Sequence, residues 1–173
     1  MVNPFNLIVT HLPGPESKRR AIWILRQTLP AFSIAYSRPH IILGVVRDPL
    51  EAVEILKGSL TRKSPILRVI PVLRVEAPFT SNVKKAVEEI LGAQPEGSFA
   101  VRLDGYLRDD SGRLMRRRDA IIAIADNIDR EVNLSNPDIL VYIKVVKFRG
   151  RRLAAVYVGP QDNIISTVKM KDL

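Results

Sequence analysis

Between Ile139 and Gly159 the chain carries no acidic residue. The stretch reads as two strands, ILVYIKVVKF and LAAVYVG, with Arg149-Gly150-Arg151 as the turn between them. Runs of β-branched and aromatic residues around a glycine turn are the mark of a β-hairpin. A loop rich in Asn, Ser and Pro, VNLSNPD (132–138), runs straight into the first strand. A residue before proline avoids the helical region, so Asn136-Pro137 sets an extended entry to that strand.

The rest of the chain divides into two pieces. In the first, FNLIVT (5–10) reads as a strand broken by Pro13-Gly14-Pro15, and Ser17 can cap a helix to about Leu29. FSIAY and HIILGVV follow as a hairpin around Ser37-Arg38-Pro39. DPLE starts a second helix, with Asp48 as cap, Pro49 at the first position and Glu51 closing a capping box. ILRVIPVLRV (66–75) is the next strand, and its Pro71 needs an edge or a bulge. The order is β-α-β-β-α-β, a ferredoxin-like unit, over residues 1–76. In the second piece, 77–173, Ser81 can cap a helix with Val83, Ala86, Val87, Ile90 and Leu91 on one stripe. The strand GSFAVRLDGYL, the turn RDDSG, and a helix to about Arg130 burying Ile121, Ile124, Ala125 and Ile128 lead to the hairpin. A short strand is expected at IISTVK. The fold class is therefore α+β, in two domains.

Several function classes lack the residues they need. With no cysteine there is no disulfide, no thiolate catalysis and no cysteine-built metal site. No run of about 18 apolar residues suggests a membrane span, and the N-terminus lacks a signal-peptide pattern, so a cytoplasmic protein is expected. No glycine-rich phosphate cradle and no His-x-x-x-His spacing is present, so neither cofactor nor metal is expected. His11, His40 and the Asp109–Asp110 pair are the few candidates for catalysis. Asp126, Asp129 and Glu131 read as solvated.

The charge balance points to a polyanion. Lys and Arg number 27 against 18 Asp and Glu, a net charge of +9, and a basic surface attracts phosphate backbones. Two groups stand out. Arg102, Arg108, Arg113, Arg116, Arg117 and Arg118 lie on a strand, its turn and the start of the next helix. Three arginines at a helix N-terminus oppose the helix dipole, whereas a docked phosphate would favour both them and the free N–H groups. The other reading is a solvated basic turn with Asp109, Asp110 and Asp119 as local partners. Lys144, Lys147, Arg149, Arg151 and Arg152 form the second group around the hairpin tip, which also serves to keep sheet edges soluble. Aromatic residues make up only 6%, which favours backbone and shape recognition of structured RNA over base stacking.

The segments GSFAVRLDGYL, RRRDAIIAIADNID and VNLSNPDILVYIKVV together resemble the THUMP domain, an RNA-binding module of tRNA-modification systems. SPILRVIPV resembles the strand ahead of that module in stand-alone THUMP proteins that assist a tRNA cytidine acetyltransferase. The resemblance is strongest over Gly97–Val146. It implies binding of tRNA at the acceptor stem and 3′ end. Relatives carry a catalytic module as well, and Leu173 ends this chain just after the THUMP-like part. The expectation is thus a non-catalytic adaptor that presents tRNA to a separate acetyltransferase for N4-acetylcytidine formation. The alternatives are a subunit of a tRNA-modifying enzyme with its own site, or a general binder of structured RNA. Asn133 stands where the family often has Asp. Arg116 stands near a position that is often small and polar, which would leave Asp119 as the cap of a later-starting helix.

Overall fold

A computed structural model of the chain describes residues 3–170. They form two compact units, 73–161 and the remainder.

The first unit opens with β1 (Leu7–His11), α1 (Pro15–Thr28), β2 (Ser33–Arg38), β3 (Ile41–Val45), α2 (Pro49–Lys57) and β4 (Ile66–Pro71). The strands line up as β2-β3-β1-β4, every pair antiparallel, the arrangement of a split β-α-β unit. The helices cover one face. Ala21 and Leu25 of α1 and Val53 and Leu56 of α2 pack on Leu7, Val9, Ile42 and Val69. Asp48 caps α2 through the amides of Leu50 and Glu51, worth about 1 kcal/mol. The expected capping box stays half made, because Glu51 pairs with Arg47 at 2.6 Å instead. Ser17 does not cap α1, which starts one turn earlier with Gly14 at the cap and Pro15 at its first position.

The tail joins this first unit and not the second, where the sequence pattern puts it. After a short turn at Gln161–Asn163, β9 (Ile165–Ser166) pairs antiparallel with Arg68 and Val69 of β4. Ile165 enters the core, and the buried Thr167 hydroxyl donates to the Ile66 carbonyl at 2.7 Å. Pro71 is tolerated because it lies at the end of β4, beyond the two residues that β9 reaches. Residues 1, 2 and 171–173, the outer ends of the two expected domains, lie outside the described residues.

The second unit holds β5 (Arg74–Glu76), α3 (Thr80–Leu91), β6 (Phe99–Asp104), α4 (Arg117–Ala125), β7 (Ile139–Phe148) and β8 (Arg151–Gly159). The single strand expected over 66–75 is thus divided at Val72-Leu73 between two sheets. The second sheet runs β5-β8-β7-β6, with β6 and β7 parallel. A parallel pair needs a crossover, and α4 supplies it. Val83, Val87 and Leu91 of α3 and Ala120 and Ile124 of α4 cover Phe99, Leu103, Val141, Ile143 and Val156. β7 is buried at every position from Ile139 to Ile143, which is why it reads as an unbroken apolar run. α4 ends at Ala125 rather than near Arg130, with Asn127 in the left-handed region.

Candidate nucleic-acid interface

The parallel register, Phe99 opposite Ile139 through Asp104 opposite Lys144, gives the second unit two distinct ends. Both strands enter at one end. At the other, β6 leaves into the loop that leads to α4, and β7 continues four residues into its hairpin, about 13 Å further.

The entry end is held together by paired polar groups. One oxygen of Asp138 accepts from the Ser98 amide at 2.9 Å and its hydroxyl at 3.1 Å, and the Ser98 hydroxyl faces the Asp138 amide at 3.1 Å. Gly97 is required here, since a Cβ would lie 2.9 Å from that of Asp138. Asn133 turns the chain by accepting from the amides of Ser135 and Asn136, an Asx turn. The Phe99 amide donates to Glu131 and its carbonyl accepts from Asn133. The segment 132–138 therefore acts as the joint that starts a parallel strand.

The exit end is built differently. Loop 105–116 folds on itself through a bridge between Arg108 and Leu114, and Arg108 also bridges to Phe79 beside α3. Asp109 organises the tip by accepting from the Ser111 hydroxyl at 2.6 Å and the amides of Ser111 and Arg113. Those bonds, the Ser111 hydroxyl foremost, hold its carboxyl below the usual aspartate range. Asp110 accepts from Ser81 at 2.9 Å, so Ser81 is a loop anchor and not the cap of α3, a position held by Phe79. Among the described residues, neither aspartate forms an ion pair with an arginine of the loop, and the Arg108 guanidinium donates to the Gly112 carbonyl at 2.7 Å.

α4 then starts with Arg116 at its cap and no side-chain acceptor for its first amides. Asp119 lies in the first turn and is not the cap. Arg116, Arg117 and Arg118 are all exposed, each in a place where the helix dipole disfavours a cation by about 0.3–1 kcal/mol. The Arg117 guanidinium lies 5.3 Å from the ring centroid of Tyr106, and Tyr106 is 55% exposed. This tyrosine was not among the residues singled out from sequence. Its signal was there: a lone aromatic in a turn, flanked by Gly105 and the arginines. Arg102 and Arg113 are exposed as well.

The hairpin tip lies at the same end. Arg149 and Gly150 both have positive φ, 48° and 85°, the two-residue turn that suits strand twist. Arginine is an uncommon choice in that conformation. Lys147 stands directly across from Arg152, a like-charge pair that weakens a sheet. Lys147, Arg149, Arg151 and Arg152 are exposed. Lys144 is different: its ammonium lies 2.5 Å from Asp104, with 16% of the side chain exposed. It is neutralised within the sheet and does not belong with the tip.

Three further cations of this unit have partners. Lys84 of α3 donates to the carbonyls of Ala123, Ile124 and Asp126, closing the end of α4. Arg130 returns the favour at the end of α3 through Leu91, Gln94 and Pro95. Arg74 bridges Glu89 and Glu76, and the bond to Glu89 is the main cause of its raised pKa. Among the described residues, no ion pair engages Arg102, Arg108, Arg113, Arg116, Arg117, Arg118 or the four cations of the hairpin tip. His11 is buried with Nε2 unpartnered, His40 is exposed with its ring 6.4 Å away, and Asp126, Asp129 and Glu131 are exposed.

Two solved structures share this architecture. PH1313 from Pyrococcus horikoshii Ot3 aligns at a TM-score of 0.57 and 17% identity, over 89% of this chain and 54% of its own. A 4-thiouridine synthetase, solved as an RNA complex with bound ATP, aligns at 0.53 and 13%, over 90% of this chain and 42% of its own. The likeness is one of fold. It bears out the expected class, α+β, and the first unit has the expected ferredoxin-like strand order. The chain spans about half the length of these proteins. No family profile matches the sequence, and no curated protein matches it. Among the described residues, no helix is long and apolar enough to cross a membrane.

Proposed function

We propose that this chain is a THUMP-family tRNA-binding adaptor. In this reading the exit end of the second unit holds the phosphate backbone of the acceptor stem and 3′ end, and the chain presents the tRNA to a separate cytidine acetyltransferase. The observation that carries the RNA-binding part is the set of exposed arginines without ion pairs at the uncapped start of α4, with the cationic hairpin tip at the same end of the sheet. The fold gains nothing from cations placed against a helix dipole or facing each other across a hairpin. A polyanion makes both arrangements favourable. That a 4-thiouridine synthetase of the same fold is known in complex with RNA supports the same class of ligand.

The adaptor part rests on the resemblance described from the sequence, and it gives no residue of the chain a catalytic role. The test is reconstitution. The purified chain is incubated with tRNA and an acetyl donor, with and without a tRNA cytidine acetyltransferase, and the nucleosides are analysed by mass spectrometry. Acetylcytidine that depends on both proteins is the expected result. A modified nucleoside made by this chain alone overturns the adaptor reading, and binding of other structured RNAs as tightly as tRNA overturns the choice of partner.

A further inference from the structure

The chain has a single tryptophan, Trp23, and it lies on the surface of α1 at 64% exposure. Large aromatic side chains are ordinarily among the best covered, and α1 does not need this one, since Ala21 and Leu25 make its buried contact. Around Trp23 is an open depression of about 420 Å³, lined by Glu16, Arg19, Arg20, Trp23 and Ile24. These positions are spaced three, four, seven and eight residues from Glu16, so they form one stripe of the helix. Lys18, Arg19, Arg20 and Arg26 give α1 four cations against the single acid Glu16. None of the five is in an ion pair among the described residues.

We propose that this stripe is a second RNA-contacting site, one that receives an unpaired nucleotide. The base stacks on the exposed indole face, and Arg19 and Arg20, one turn before it, hold the adjoining phosphate. Aromatic stacking and cationic contact to the backbone are the two ingredients of single-strand recognition, and both are sequence-tolerant. The charge would suit an acidic protein as well as RNA, and the make-up of the patch decides between them. Protein interfaces concentrate apolar residues at their centre, shed charge there and bury on the order of 1,000 Å² or more. Here the apolar surface is Trp23 and Ile24 alone, set among charges, and the depression is nucleotide-sized. The proposal rests on the reading of the chain as an RNA binder and adds a site in the other unit.

Because Trp23 is the only tryptophan, its fluorescence reports this site directly. The full chain is titrated with a single-stranded RNA hexamer, a blunt RNA duplex, intact tRNA and a polyglutamate peptide. The hexamer is expected to quench the emission strongly and the duplex weakly. Arg19→Glu with Arg20→Glu should weaken hexamer binding about tenfold or more, and Trp23→Ala about tenfold when binding is followed by a label on the RNA. Hexamer or tRNA binding with unchanged emission and no effect of the α1 variants overturns this site and leaves RNA binding standing. Quenching by polyglutamate but not by RNA assigns the stripe to a protein partner and also overturns it. Failure of every RNA to bind removes the RNA-binding reading itself, and this site with it.

Discussion

The two ends of the second unit's sheet are made from the same pair of strands, yet they are finished in opposite ways. At the entry end, Ser98 and Asp138 satisfy one another at hydrogen-bond distance, and Asn133 satisfies the amides of Ser135 and Asn136. At the exit end, the aspartates of the loop are turned inward to shape the turn, and the arginines are left facing solvent. The first end is arranged as a protein arranges a joint. The second is arranged as a protein arranges a surface for something it does not itself contain. Polar residues near a sheet are thus not equivalent, and what separates them is whether their partners lie within the chain.

The comparison can be broken most severely at the exit end. Reversing Arg116, Arg117 and Arg118 to Glu should weaken tRNA binding by roughly two orders of magnitude or more at moderate salt. The slope of log affinity against log salt should also flatten by about three. The same variant should melt no lower than the parent, because acids at a helix start suit its dipole. A comparable fall in melting temperature and affinity would place these residues in the fold instead. At the entry end, Asp138→Ala should cost about 1.5–3 kcal/mol in denaturant unfolding, the range for hydrogen bonds to a charged group. Its tRNA affinity should be unchanged where the protein is folded. Tyr106→Ala should cost about 1–2 kcal/mol of tRNA affinity if a base stacks beside Arg117, with stability little altered at so exposed a position. The smallest effect belongs to Lys144→Met. Its charge is already answered by Asp104, so the salt dependence of tRNA binding should stay as it is.

What was legible in the sequence follows the range of the interactions involved. The element order of the first 70 residues, the stripe of α3 and the hairpin are set by neighbours in the chain, and all were readable. Asp48 was readable as a cap because its acceptor and the amides it serves lie within three residues. The tail was misassigned because β9 is two residues long and its partners Arg68 and Val69 are nearly 100 residues earlier. Ser17 and Ser81 were plausible caps by type, but Pro15 starts α1 sooner, and the bridge from Phe79 to Arg108 fixes the start of α3. The arginine cluster was legible as a group. That Lys144 does not belong with it depends on the β6–β7 register, which no local pattern reveals. Tyr106 is not legible from composition, because a low aromatic content says nothing about where the few aromatics lie.

The most direct test of the difference between the two ends is backbone hydrogen exchange, followed by mass spectrometry, on the chain with and without tRNA. Exchange should slow over 105–118 and 147–152 and stay unchanged over 131–138. Slowing at 131–138 with none in the arginine loop would contradict the assignment of the entry end to the fold and the exit end to RNA.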